Sequence, residues 1–290
     1  MTVHVTPLSD PDRSAASYRL AWLAGGEDGR PLGSAFLRVP AVGDVAELAL
    51  VVHPAERRAG VGTRLLRAAE AAAGELGMRA VVTEPIREGD EGEFFCRARG
   101  LRQVLALTYA RLELDRTVPP AEPVAGYRLI HWEGTVPDDL AGTFARSRRA
   151  MDDMPMDDAA TVPEVWDVPR LHAVAAAVAG RGDILHTTAA CGPDGEIAAF
   201  TELVVPGSEE GEAQHYGTGV LPEHRGNGLA HWMKAEQIAL IRSRFPAVTA
   251  LLADTADSNA PMRRINDALG YRPTHRCLMF QRDLTPSATS

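Results

Sequence analysis

Lysine is almost absent from this chain. Lys234 is the only one among 290 residues, so arginine supplies nearly all of the 30 basic side chains. Acidic side chains number 39, the formal charge is −9, and no basic stripe interrupts it, which argues against a phosphate-backbone partner and hence against nucleic acid. The negative balance favours instead the approach of a cationic small molecule. Cysteine is scarce as well: Cys96, Cys191 and Cys277 are far apart and odd in number, which leaves no disulfide framework and no CxxC metal site. Buried thiols and no bound metal are the expectation. No apolar run approaches the roughly 18 residues that cross a bilayer. The start MTVHVTPLSD lacks the basic residues and apolar stretch of a signal peptide. A cytoplasmic protein without a membrane partner is expected.

At 290 residues and 45% hydrophobic content there is enough chain for two domains, each with its own core. The stretch DRTVPPAEPVAG carries three prolines, which remove backbone donors and disfavour helix and central strand alike. It divides the chain into a first domain over 1–115, a linker over 116–126 and a second domain over 127–290. Before it, SAFLRV, VAELALVV, RAVVTEP and VLALTYARLEL read as strands, and TRLLRAAEAAAGEL has the 3.6-residue period of a helix. After it the order returns: IAAFTELVV and AQHYGTGV as strands, LAHWMKAEQIALIRSRF as a helix, AVTALLADT as a strand, APMRRINDAL as a helix and THRCLMFQRDL as a closing strand. Each half is therefore expected to be α/β (α+β), a mixed, largely antiparallel sheet flanked by helices.

The two halves share a junction, VVHPAERRAGVGTRLL in one and GVLPEHRGNGLAHWM in the other, aligning Val52 with Val220, Pro54 with Pro222, Arg57 with Arg225 and Gly60 with Gly228. In both, an apolar strand meets a proline, a basic glycine-containing turn and then a helix. The first amides of a helix have no intrahelical partner and, with the helix dipole, attract phosphate oxygens. Glycine and alanine let a ligand approach that backbone, while Arg57, Arg58 and Arg225 add charge at the mouth. A diphosphate suits this site, although such glycines also serve in plain tight turns. The kinase loop G-x-x-x-x-G-K-[ST] is absent, and neither turn gives G-x-G-x-x-G followed by a ribose-binding acid.

A strand, R-x-x-G-x-G/A, an amphipathic helix, a strand and a short helix ending L-G-Y resemble the GCN5-related N-acetyltransferase (GNAT) superfamily. The tandem order is similar to that of its two-domain actinobacterial members. The resemblance implies acetyl-CoA as cofactor. It places the CoA diphosphate on Arg225, Gly226, Asn227, Gly228, Leu229 and Ala230, the pantetheine beside Gly219 and Val220, and a further cofactor contact at Asn259. In the first half the matching positions are Val52, Arg57, Arg58, Ala59, Gly60, Val61 and Gly62. The second half is the closer match and the expected catalytic domain; the first is degenerate or binds cofactor only.

Acetyl transfer requires a neutral amine and hence a base. His215 is the first candidate because an unshifted histidine titrates near neutral pH, and strand alternation puts it on the face of Gly217 with Tyr216 opposite. Glu202, inside the apolar strand F-T-E-L-V-V, is the second, since a carboxylate there needs a partner or a purpose. Tyr216 could support either one. The structural alternatives are a histidine that shapes the strand and a tyrosine that packs. Where the family places a tyrosine as acid, this chain has Asn266 in the second half and Cys96 in the first, while Glu47 stands as a relic base. The segment RAMDDMPMDDAA (149–160) has four carboxylates that suit a cationic acceptor or a solvated loop. The leading expectation is acetyl transfer to a primary amine of a small metabolite or antibiotic in a ternary complex, by a monomer or homodimer. A non-catalytic acyl-CoA-binding module and a transferase for a longer acyl chain are the alternatives.

Overall fold

The computed structural model describes residues 2–8, 17–115, 120–160 and 165–284, so positions 116–119 of the expected linker lie outside the described residues. The chain forms two compact units: one of residues 1–107, 156–162 and 276–290, the other of 108–155 and 163–275.

In the first unit β1 (His4–Leu8), β2 (Ser17–Gly25), β3 (Pro31–Pro40) and β4 (Val45–Val52) pair antiparallel in sequence order, and β4 then pairs parallel with β5 (Ala80–Thr83). Alternation explains most of β3, where Ala35, Leu37 and Val39 point into the core, while Leu32 is buried out of phase, at the register shift with β2. Helix α1 (Val61–Glu75) buries Val61, Leu65, Leu66, Ala69 and Ala73, one apolar stripe, against that sheet. Leu65 and Leu66 are each worth about 2–5 kcal/mol if truncated to alanine. The short β6 (Ile86–Arg87) and α2 (Glu91–Ala98) follow, then β7 (Arg102–Glu113), whose residues from Thr108 onward belong to the second unit.

The second unit continues with β8 (Arg128–Glu133), α3 (Asp138–Ser147), α4 (Val168–Gly180), β9 (Ile184–Cys191), β10 (Ile197–Val205), β11 (Glu210–Val220), α5 (Leu229–Arg244), β12 (Ala247–Ala256) and α6 (Ala260–Leu269). Its strands lie in the order β12-β11-β10-β9-β8, with β11 and β12 parallel and the remaining recorded pairs antiparallel. Helices cover both faces. Phe144 of α3 and Leu171 of α4 pack with Phe200 and Ile197 on one face; Ile238 and Ile241 of α5 pack with Leu203, Ala213 and Leu251 on the other. Covered on both sides, β10 is buried along almost its whole length, which is why IAAFTELVV reads as a continuous apolar run.

The closing strand β13 (Arg272–Asp283) differs from the sequence-based partition, which gives all of 127–290 to one domain. From Arg276 its residues group with the first unit, because Gln281, Arg282 and Asp283 pair with Val82, Val81 and Ala80 of β5. The mixed α/β class and the tandem order are as the sequence implies.

Candidate active site

In the second unit β11 loses one neighbour partway along. Its pairs with β12 end at Gln214↔Leu252, whereas those with β10 continue to Val220↔Ala199, so among the described residues β12 does not pair with β11 beyond Gln214. A strand edge that its neighbour leaves exposes N–H and C=O groups at alternate residues, the pattern that pairs with an extended amide-bearing ligand. The edge leads through a 3-10 turn at Pro222–His224 to Gly226 (φ 81°) and Gly228 (φ 84°), the N-cap of α5. Both glycines hold the left-handed backbone that disfavours side chains, and a Cβ at either would meet nothing within 4 Å, so the space over them is open. Gly228 has no side chain to cap the helix, which leaves the first-turn amides from Leu229 and Ala230 for a ligand. Gly219 is small for another reason: a Cβ there would come within 3.0 Å of Ala150 and 3.1 Å of Phe200.

Arg225 does not extend its charge toward the open loop. Its guanidinium grips both carboxylate oxygens of Asp153 at 2.6 and 2.7 Å, and its Nε donates to the Val220 carbonyl at 3.0 Å. Arg149 pairs with Glu223 through a single contact. The first half of the acidic 149–160 segment is therefore tied down beside the loop. Asn227 donates to the His224 carbonyl, and the Asn259 Oδ1 caps α6 by accepting from the Met262 amide at 3.2 Å.

The two leading base candidates do not converge. Glu202 pairs with Gly217 but Leu203 pairs with His215, so Tyr216 is the extra residue of a β-bulge. Paired residues share a face and sequence neighbours on β10 alternate. The bulge therefore reverses the expected geometry: His215 and Gly217 lie on opposite faces, and so do His215 and Glu202. Tyr216 is half exposed.

On one face Glu202, 1% exposed, accepts from the Arg148 guanidinium at 2.6 Å. That guanidinium lies 4.3–4.8 Å from the ring centroids of Trp166, Phe200 and Phe144. Burial pushes the Glu202 carboxyl above its usual range, against the pull of Arg148. A carboxylate already paired in this way is a brace for the turn Arg148–Met151 over β11.

On the other face the His215 Nε2 is 2.6 Å from the hydroxyl of Tyr271, a fully buried side chain directly after α6. The Lys234 ammonium of α5 lies 5.1 Å from the centroid of the same ring. Burial, aided by Lys234, holds the imidazole well below its usual range, so His215 is uncharged at neutral pH and does not titrate there as an unshifted histidine would. Burial also lowers Lys234 to about 7, opposed by Asp254, and raises the Tyr271 phenol. Asn266, at the position where the resemblance calls for an acid, is buried and donates to Thr255 Oγ1 at 3.2 Å.

Sequence reasoning passed over Lys234, Tyr271 and Arg148. Lys234 had a signal, as the one lysine of the chain, in the middle of a helix; Tyr271 stood in the L-G-Y ending as a motif letter; Arg148 had none.

The first unit repeats the scaffold with differences. Pairs between β4 and β5 end at Leu48↔Thr83 while those with β3 reach Gly33↔Val52, and Gly60 (φ 84°) caps α1 as Gly228 caps α5. Its β4 has no bulge in the recorded register. Phe95 of α2 lies over the helix start, 3.2 Å from where a Gly62 Cβ would sit, with Val52 at 3.4 Å. Arg57 pairs with Glu91 at 2.9 Å, Arg58 adopts φ 65°, and the half-exposed Glu47 pairs with Arg38 at 3.6 Å. Ala59 and Val61 flank Gly60 in this turn. Burial pushes the Cys96 thiol up to about 11. Among the described residues no group of three or more histidine, cysteine or acidic side chains could hold a metal ion, and no helix is long and apolar enough to cross a membrane.

The acetyltransferase (GNAT) family model matches residues 5–91. A mycothiol acetyltransferase of Clavibacter sepedonicus is 33% identical over 233 residues, 77% of this chain and 68% of that protein; another, of Clavibacter michiganensis, is 33% identical over 76% of this chain and 66% of its own length. The chain thus spans about two thirds of the length of these relatives. Among solved structures, a tandem GNAT protein from the clavulanic acid biosynthesis pathway superposes with a TM-score of 0.76 at 23% identity, covering 99% of this chain and 100% of its own. A GCN5-related N-acetyltransferase from Sphaerobacter thermophilus gives 0.68 at 17% identity over 92% and 81%. These two likenesses concern the fold. On its sequence relatives and its tandem architecture, the chain belongs to the GNAT family of N-acetyltransferases, whose acetyl donor is acetyl-CoA.

Proposed function

We propose that the chain transfers acetyl from acetyl-CoA to a primary amine of a small molecule, directly within a ternary complex, and that the second unit carries the reaction. The observation behind this reading is the asymmetry of the two strand edges. Only β11 combines an edge that its neighbour leaves, a bulge at Tyr216 and an uncapped glycine helix start, and only its unit has a buried histidine at the point where the edge opens. The relatives' name, mycothiol acetyltransferase, supports a small-molecule acceptor.

In this reading the amides from Gly226 to Ala230 hold the diphosphate, the edge at Gly219 and Val220 pairs with the pantetheine, and the thioester supplies the acetyl group at the bulge where the edge opens. His215, uncharged and braced by Tyr271, takes up the proton that the acceptor ammonium must lose. Glu202 and Arg148 hold the turn Arg148–Met151 against Gly217 and Gly219, which shapes the acceptor side. The first unit, with Phe95 over its helix start and no bulge, serves as a scaffold or a second cofactor site.

A second reading, an acyl-CoA-binding module without turnover, is favoured by Asn266, which cannot supply a proton at neutral pH. Incubation of the protein with acetyl-CoA and a panel of primary amines, following free thiol, separates the two. Amine-dependent thiol release that falls on His215→Gln supports transfer. Stabilisation by CoA with no amine-dependent release overturns it.

A further inference from the structure

The only lysine of the chain occupies a place where an amine is costly. Lys234 is 2% exposed in the middle of α5, in a position that an apolar side chain of similar length would fill without desolvating a charge. What surrounds it is specific. Its Nζ lies over the ring of Tyr271, whose hydroxyl is within 2.6 Å of His215 Nε2, and all three side chains sit on the α5 face of β11 where the strand leaves β12. Two further groups bear on the cluster: the Glu202 carbonyl on β10, which favours the charged His215 ring without reaching bonding geometry to Nδ1, and Asp254 on β12, which accepts from Gln214 at 3.2 Å and favours the charged form of Lys234.

We propose that Lys234 is a positioning residue for His215: its amino group, packed on the face of Tyr271, keeps the imidazole uncharged and hydrogen-bonded to the Tyr271 hydroxyl at the opening of the strand edge. Below its own midpoint near 7 Lys234 is charged, and in a poorly solvated site that charge repels a second one, adding to the burial that already disfavours a charged ring. A neutral ring keeps the 2.6 Å hydrogen bond between Nε2 and the Tyr271 hydroxyl and retains a lone pair on one ring nitrogen, as a proton acceptor must. The role of this coupling in turnover rests on the proposed acetyl transfer; the coupling itself does not.

Because there is one lysine, a lysine-selective 15N label gives a single side-chain signal. In the wild-type protein that signal is expected to titrate near neutral pH, about 7, instead of above 10. The His215 ring, identified by the resonance that His215→Gln removes, is expected to titrate higher in Lys234→Met than in wild type, with CoA uptake by calorimetry unchanged. A lysine signal that titrates above pH 10, or a His215 midpoint that does not move, overturns the proposal. If Lys234→Met does not fold, the wild-type lysine titration decides alone. Both shifts observed in a protein that releases no thiol with any amine would leave the coupling standing and defeat the acetyl-transfer reading.

Discussion

Replacing Arg148 by methionine tests the brace beneath the active strand. The Arg148 and Glu202 side chains are 4% and 1% exposed and meet at 2.6 Å, so losing the guanidinium leaves a carboxylate in an apolar setting with no counter-charge. Breaking a buried pair from one side costs about 3–5 kcal/mol. Contacts with the rings of Trp166, Phe200 and Phe144 add smaller losses of about 0.5–2 kcal/mol each. Arg148→Met combined with Glu202→Leu removes both charges and is expected to recover most of the loss, because well-packed apolar residues often replace such a pair at little cost. The pH dependence has a definite sign. Without Arg148, burial raises the folded-state value of Glu202 further, so the variant's stability is greatest below the unfolded carboxyl value and is lost as pH rises through the folded one. The penalty of Arg148→Met is therefore larger at pH 8 than at pH 5. Urea unfolding followed by tryptophan fluorescence reads this through Trp166, with the two units treated as separate transitions. A cost under about 1 kcal/mol at pH 8, or a double variant as unstable as the single one, refutes the reasoning.

Other expectations follow from single positions. Gly219→Val places a side chain against Ala150, Phe200 and Met151 and is expected to destabilise by about 1–3 kcal/mol and to reduce thiol release, read by melting and by turnover. Gly228→Ala costs roughly 1–2 kcal/mol at φ 84°, which a thermal melt resolves. For Lys234 the unfolded chain holds a proton between pH 7 and its ordinary value of 10.5 that the folded chain does not, so wild-type stability rises with pH across that window, by up to about 5 kcal/mol, while Lys234→Met shows no such rise.

The sequence was most legible where local chemistry is decisive. The helix over APMRRINDAL matches α6 residue for residue, since Asn259 caps it and Gly270 ends it with a positive φ. The strand IAAFTELVV matches β10, and the shared glycine junction marks the N-caps Gly60 and Gly228. Less legible was anything that depends on register. The bulge at Tyr216 adds one residue to a strand whose alternation looks regular, and that one residue moves His215 to the face opposite Glu202. Arg148 met Glu202 across 54 residues of sequence, and Arg225 turned to Asp153 across 72, contacts that no local pattern encodes. The partners of Asp283 and its neighbours on β5 are likewise distant in the chain.

The central claim is that the uncapped glycine turn before α5 is where CoA is held for turnover. Isothermal titration of CoA into the intact protein, the Gly228→Val variant and the Gly60→Val variant tests it most directly. The prediction is that Gly228→Val loses uptake at the α5 turn together with all thiol release, while Gly60→Val leaves release in place. Undiminished CoA uptake and thiol release by Gly228→Val would contradict it.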